Sequence, residues 1–143
     1  MKLLVYTDAG ARGNPGPAAY AFVLCTPDGK VIKESSRYLG ERTNNEAEYS
    51  GLIAGLEAAK KAGADEVAVT MDSELVVRQM LGHYRVKSPN LKGLFVHACH
   101  LIDSFRAATI THVRRDHQMI QRADALVNRE LEEMALAQKL RRP

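Results

Sequence analysis

KLLVYTDAGARGNPGPAAYAFVLC, residues 2–25, contains two apolar runs separated by a dense turn signal. The first run covers residues 2–8, the second covers residues 18–25, and glycines and prolines are concentrated in residues 13–17 between them. Glycine and proline interrupt regular structure and favour turns. The stretch therefore predicts two consecutive strands joined by an elaborate turn.

A third strand is predicted at residues 31–38, because residues 27–30 form a tight-turn sequence with Gly29 where a positive φ is needed. A helix should follow, since Thr43-Asn44-Asn45-Glu46 has the spacing of a capping box. Its small residues form a stripe that predicts close packing on a sheet, and Gly63 suits its carboxyl end.

The remaining elements alternate between strand and helix. They are a strand at 66–71, a short helix capped by Ser73, a helix begun by Ser88 and Pro89, a strand at 108–113 and a last helix at about 121–137. This order predicts an α/β fold with a mixed sheet, because helical crossovers place the later strands beside the first. We expect one domain over residues 1–143, with a frayed basic tail at 138–143.

Composition narrows the class of protein. With 45% hydrophobic and 26% charged residues, the chain has the profile of a globular protein and not of a disordered or fibrous one. Its start lacks the pattern of a secretory signal, and its two cysteines lie far apart, so we expect a cytoplasmic protein that needs no disulfide. The net charge of +3 is only a weak indication of a polyanionic partner.

Four acidic residues lie where a sheet edge would gather them. Asp8 and Asp72 end predicted strands, Glu48 lies on the packed side of its helix, and Asp124 lies in the first turn of the last helix. Each has an ordinary structural alternative, as a turn residue, a helix cap or a partner for the helix dipole. The fold would bring all four carboxylates to the same edge of the sheet, and four separate structural roles do not explain why they should meet there.

Four close carboxylates resist joint ionisation unless cations bind between them. Carboxylate oxygens favour Mg²⁺ or Mn²⁺, and two such ions about 4 Å apart can promote in-line phosphoryl displacement. The four acids therefore predict a metal-dependent phosphodiester hydrolase.

Four segments, in this order and spacing, resemble type 1 ribonuclease H over nearly the whole chain. They are residues 6–16 (YTDAGARGNPG), 43–48 (TNNEAE), 71–74 (MDSE) and 122–126 (RADAL). The resemblance implies a ribonuclease H-like fold with a five-stranded mixed sheet, in which three antiparallel strands are followed by two parallel additions. It also implies an endonuclease that cuts the RNA strand of RNA–DNA hybrids and leaves 5′-phosphate and 3′-hydroxyl ends.

By this resemblance, Asp8, Glu48, Asp72 and Asp124 are catalytic ligands of two Mg²⁺ ions, with Mn²⁺ as an alternative. Substrate binding falls to four residues near the first long helix: Asn14, Thr43, Asn44 and Asn45. The asparagines would contact 2′-hydroxyl groups in the minor groove, and Thr43 a phosphate of the DNA strand. The expected partner is the hybrid alone, bound by a monomer.

The chain departs from many ribonucleases H at two places. A basic helical protrusion is missing, since residues 82–89 pass directly into the next helix and the chain has no Trp. Tyr84, Arg85 and Lys87 are candidates to hold the DNA strand instead. The position of a loop asparagine is occupied by Ile120, and His117 is the candidate for an assisting histidine, although an exposed loop histidine often has no role.

Two other functions fit the sequence. The same fold and metals serve junction resolvases and exonucleases, against which the ribose-sensing asparagines count. A non-catalytic hybrid-binding module is the other alternative, and the intact set of four acids counts against it.

Overall fold

The computed structural model describes residues 1–141, which form one five-stranded sheet and four helices. The strands are β1 (Lys2–Ala11), β2 (Gly16–Cys25), β3 (Val31–Arg42), β4 (Glu66–Met71) and β5 (Ala107–His112). The helices are α1 (Asn44–Lys61), α2 (Glu74–Met80), α3 (Pro89–Asp103) and α4 (Gln118–Leu140).

The sheet is mixed, with strand order β3-β2-β1-β4-β5. β1, β2 and β3 form an antiparallel meander, whereas β4 pairs parallel with β1, and β5 pairs parallel with β4. The predicted architecture is confirmed. α1 makes the crossover from β3 to β4, and α2 and α3 make the crossover from β4 to β5.

Helices cover both faces of the sheet. In β2, Tyr20, Phe22 and Leu24 join a core cluster with the buried side chains of α1, while the alternate residues Ala21 and Val23 pack with α4. This follows from the period of two in a strand, and an almost continuous apolar run is expected for a strand that is buried on both sides.

Helix α1 packs very closely on the sheet through its small residues, as the sequence predicts. A Cβ atom added at Gly55 would lie 2.8 Å from Val5 Cγ1, and one added at Gly51 would lie 3.0 Å from Tyr20 Cβ. Only residues without a side chain allow this approach. The close contact brings the amino-terminal turns of α1 to the end of β1 that lies farthest from Lys2.

The predicted helix caps are present. Thr43 Oγ1 accepts from the amide of Glu46 at 3.1 Å, and Glu46 Oε1 accepts from the amide of Thr43 at 2.9 Å, which completes the capping box of α1. Ser73 Oγ accepts from the amide of Val76 at 3.3 Å and caps α2. Ser88 occupies the N-cap position of α3 without a side-chain hydrogen bond, and Pro89 starts that helix.

Several element boundaries differ from the predictions. β1 continues beyond Asp8 to Ala11 because its pairing with β2 outlasts its pairing with β4. β3 continues to Arg42 for the same reason, since it stays paired with β2. α4 begins at Gln118, and Asp124 therefore lies in the second turn of the helix and not in the first.

The carboxyl end of α4 extends to Leu140, beyond the predicted 137. Fraying of residues 138–143 stays a prediction, and residues 142 and 143 lie outside the described part of the chain. Among residues 1–141, no helix combines the length and the apolar character that crossing a membrane requires.

The contact of α1 with the sheet generates a stability prediction. We expect Gly55→Ala to lower the free energy of unfolding by about 1–3 kcal/mol, because the new methyl group overpacks against Val5. Gly93→Ala is the matched control, since nothing lies within 4 Å of a Cβ at that helical position. It should raise the free energy of unfolding by up to about 1 kcal/mol. Urea unfolding measures both, and equal effects would contradict the close packing of α1.

Candidate active site

Strand register brings two carboxylates together. The last paired residues of the parallel β1–β4 ladder are Thr7 and Met71, and Asp8 and Asp72 follow directly. The two chains separate at this point, because β1 continues along β2 while β4 ends. Asp8 is thus a strand-end residue toward β4 only. This is the carboxyl edge of the parallel strands, where ligands bind in open α/β sheets.

Glu48 completes the cluster from α1. It lies in the second turn of the helix and is only 5% exposed. The approach of Gly51 to the carbonyl oxygen of Asp8, at 3.5 Å from an added Cβ, holds this part of α1 beside β1. Glu48 therefore reaches the strand-end carboxylates from the helix layer.

Asp8, Glu48 and Asp72 form a group in which one carboxylate oxygen from each residue lies within 4.8 Å of the others. Glu48 Oε1 is buried and accepts no hydrogen bond from the described residues. A buried oxygen without a donor is costly, and a divalent cation would satisfy it. The all-oxygen donor set also fits a hard ion such as Mg²⁺ or Mn²⁺.

Asp124 lies beside this group without belonging to it. Its carboxylate raises the pKa of Asp8, and its Oδ2 accepts from the Asn128 side-chain amide at 3.2 Å. The structure thus brings three of the four predicted acids into one cluster and places the fourth near Asp8. The contact from Asn128 was not predicted, although its spacing of four residues from Asp124 on one helix was a usable signal.

The cluster carries a strong electrostatic strain. Burial raises the pKa of the Asp8 carboxyl to about 8, and the neighbouring Asp72 contributes to the rise. Burial also holds the pKa of Glu48 well above its usual range, with Asp8 and Asp72 adding to the effect. Proximity of like charges in a buried setting disfavours their ionised forms. The same proximity is what a cation would relieve.

Arg115 brings a positive charge to the edge of the acidic cluster. Its Nε lies 3.7 Å from Asp72 Oδ2 while its side chain is 87% exposed, and its charge lowers the pKa of Glu48. Arg115 lies in the loop after β5, which is fixed beside β4 by a hydrogen bond from the Val113 amide to the Met71 carbonyl at 2.9 Å. The sequence alone did not assign Arg115 to the site.

His117 caps α4. Its Nδ1 accepts from the amide of Met119 at 3.1 Å, and its ring lies 5.6 Å from the Tyr6 ring between centroids. This cap explains why the helix begins earlier than predicted. It leaves Nε2 outside the capping interaction, and a catalytic role for His117 stays a prediction.

The predicted substrate-binding residues gather at the start of α1. Asn14 Oδ1 accepts from the amide of Asn44 at 3.0 Å, which joins the β1–β2 turn to the helix. Asn14 and Asn44 are exposed, while Asn45 and Thr43 are half-buried. Since α1 also carries Glu48, these residues lie along the same edge of the molecule as the carboxylates.

A basic groove lies beside α2 and the segment that follows it. It is lined by Leu75, His83, Tyr84, Arg85 and Lys87. The guanidinium of Arg78 lies 5.5 Å from the centre of the Tyr84 ring, and Tyr84 is 45% exposed. Residues 81–88 connect α2 to α3 directly, so the predicted lack of a protrusion is confirmed.

Comparison with known proteins identifies the family. A family model described as "Reverse transcriptase-like" matches residues 6–130. The RNase H1 of the halophilic archaeon Halobacterium salinarum has a crystal structure that superimposes with a TM-score of 0.88 at 41% identity, over 93% of this chain and 99% of that one. This chain belongs to the type 1 ribonuclease H family.

Two further proteins are similar to this chain over most of its length. LC11-RNase H1, crystallised in complex with an RNA/DNA hybrid, has a TM-score of 0.86 and 43% identity, with coverage of 93% of this chain and 99% of that one. A bifunctional protein of Mycobacterium tuberculosis is 49% identical over 129 residues, which are 90% of this chain and 35% of that protein. The chain thus spans about a third of the length of its mycobacterial relatives.

The pKa shift of Asp8 generates a prediction about stability without metal. Between pH 4 and pH 8 the folded state keeps a proton that the unfolded state, with a pKa of about 3.9 for aspartate, has lost. The free energy of unfolding therefore falls as pH rises through this window. Asp8→Asn stays neutral, so we expect its free energy of unfolding to exceed that of the wild type by about 3–4 kcal/mol more at pH 8 than at pH 5.

Urea unfolding in the presence of a chelator measures this difference. Glu57→Gln is the control, because Glu57 is exposed on the same helix that carries Glu48. Its effect should be independent of pH between 5 and 8. An Asp8→Asn effect that is equally independent of pH would contradict the raised pKa.

Proposed function

We propose that this chain is an endoribonuclease that cuts the RNA strand of RNA–DNA hybrids with the help of divalent cations. The observation that carries the proposal is the group of Asp8, Glu48 and Asp72, in which one carboxylate oxygen from each lies within 4.8 Å of the others and one buried oxygen accepts no hydrogen bond from residues 1–141. The existence of a related RNase H1 in complex with an RNA/DNA hybrid supports the choice of substrate.

Asp8, Glu48, Asp72 and Asp124 are the residues that would hold the ions, with two Mg²⁺ as the proposed set and Mn²⁺ as a substitute. The chemistry that such a pair supplies is activation of water and stabilisation of the leaving ribose oxygen, which gives 5′-phosphate and 3′-hydroxyl products. The proximity of Asp124 to Asp8, seen in its effect on the pKa of Asp8, supports its inclusion.

Recognition of the RNA strand is assigned to the start of α1. Asn14, Asn44 and Asn45 offer amide donors and acceptors to 2′-hydroxyl groups, which distinguish RNA from DNA in the minor groove. The hydrogen bond between Asn14 and Asn44 supports a joint role, because it fixes the two exposed residues relative to each other. Thr43 at the helix amino terminus is suited to a phosphate of the DNA strand.

The remaining roles concern the proton and the DNA strand. His117 would exchange a proton through Nε2, since its Nδ1 accepts from the Met119 amide. Tyr84, Arg85 and Lys87 would hold the DNA strand, because an aromatic ring among cationic side chains suits a nucleic-acid backbone and its bases. We also propose that the protein acts in the cytoplasm as a monomer.

Cleavage assays separate this function from its alternatives. We expect the protein to cut the RNA of a labelled hybrid in Mg²⁺, and to leave double-stranded RNA, double-stranded DNA and a four-way DNA junction intact. Asp72→Asn should lower the rate by about a hundredfold or more, because a ligand of the ions is lost. Asp103→Asn, which changes an exposed acid at the end of α3, should cleave like the wild type.

The products identify the reaction. Extension of the cut RNA by a polymerase without prior phosphatase treatment would verify 3′-hydroxyl ends. Junction cleavage would instead favour a resolvase, and stepwise shortening from one end an exonuclease. Hybrid binding with no cleavage in Mg²⁺ or Mn²⁺ would mean a non-catalytic module.

The basic groove generates a second functional prediction. We expect the double variant Arg85→Gln/Lys87→Gln to bind the hybrid more weakly. The slope of log affinity against log salt concentration should become shallower by about 1–2, since up to two phosphate contacts are lost. The rate at saturating hybrid should not change. The control is Lys30→Gln/Lys33→Gln at the opposite end of the sheet, where affinity should be nearly unaffected. Equal losses in both double variants would contradict a specific role of the groove.

A further inference from the structure

A buried hydrogen bond joins the two helices next to the candidate active site. The Tyr49 hydroxyl donates to Gln79 Oε1 at 2.6 Å, with Tyr49 fully buried and Gln79 only 5% exposed. Tyr49 directly follows Glu48 in α1. Gln79 lies in α2, which begins two residues after Asp72. The bond therefore connects α1, which carries Glu48, to α2, which directly follows Asp72 and Ser73.

The same pair of helices also meets at the site itself. Ser73, which caps α2, lies close enough to Glu48 for its hydroxyl to lower the pKa of that carboxyl. This contact joins the start of α2 to Glu48, and the Tyr49 contact joins the far half of α2 to the residue after Glu48. Because the contacts at Ser73 and Gln79 lie near opposite ends of α2, they restrict both translation and rotation of α1 relative to α2.

The surroundings of Tyr49 are otherwise apolar. It belongs to the main core cluster together with Leu52, Met71 and Val76. A phenylalanine would fill this space equally well, whereas a buried hydroxyl costs free energy unless it is hydrogen-bonded. Packing alone therefore does not account for the polar pair. A hydrogen bond that fixes the position of α1 relative to α2 does account for it.

We propose that Tyr49 and Gln79 are positioning residues, which set the separation of Glu48 from Asp72 for divalent cations. This inference rests on the proposed function, because it assumes that the carboxylates hold metal. Ligand groups must be held within about 0.5 Å of their working geometry, which requires support from residues that do not touch the ion. Neither side chain contacts substrate or metal in this role.

A purely structural role makes a different prediction, and two variants separate the roles. Tyr49→Phe leaves the buried Gln79 Oε1 unpaired and should lower the free energy of unfolding. Tyr49→Phe/Gln79→Leu removes both polar partners, and such paired replacement is often nearly neutral for stability. Stability should thus recover in the double variant, whereas the directional constraint stays lost.

The experiment is calorimetric titration of the full chain with Mn²⁺ alone, at a temperature where urea unfolding shows every variant to be folded. We expect the dissociation constant to rise about fivefold or more in both Tyr49→Phe and the double variant, since supporting residues commonly affect metal affinity by this order or more. Tyr20→Phe, at another core tyrosine, is the matched control and should bind Mn²⁺ like the wild type.

The outcomes distinguish this inference from the function on which it rests. Wild-type affinity in both Tyr49 variants, or affinity that recovers together with stability in the double variant, overturns the positioning role alone. A loss of affinity in Tyr20→Phe as large as in Tyr49→Phe also overturns it, because the effect would be a general response of the core. A wild-type chain that binds no Mn²⁺ overturns both the metal site and the positioning role.

Discussion

Parallel pairing of β1 with β4 is the interaction on which the candidate site depends. Its register ends at Thr7 and Met71, so the next residue of each strand carries a carboxylate at the same edge of the sheet. The close packing of α1 on the sheet then brings Glu48 to the two aspartates, and the loop after β5 brings Arg115 to Asp72. A shift of one residue in this register would turn one of the two aspartates to the opposite face.

The fold maintains this cluster against its own electrostatics. Burial and mutual repulsion raise the pKa of Asp8 to about 8 and hold that of Glu48 above its usual range, so the acids destabilise the metal-free fold near neutral pH. The packed core on both faces of the sheet offsets this cost. Residues that oppose stability while converging on one edge are expected at a functional site, which agrees with membership of the ribonuclease H family.

Local signals made most of the fold predictable from sequence. The capping box at Thr43, the turn at Gly29 and the β-branched run at 66–71 each act within a few residues, and each appears in the structure. Contacts between distant segments were not predictable in this way. The extension of β1 depends on its partner β2, and the bond from Tyr49 to Gln79 joins residues 30 positions apart. The contact of Arg115 with Asp72 likewise exists only once β5 lies beside β4.

Without metal the clustered acids hold protons, which a divalent cation should displace because carboxylate ligands must be deprotonated to bind a metal. Calorimetry of Mg²⁺ binding at pH 7, in buffers of different ionisation enthalpy, measures how many protons are released. Because the pKa of Asp8 is about 8 and that of Glu48 is raised, we expect release of about one proton or more per chain. Binding of Mg²⁺ without any proton release would contradict this expectation.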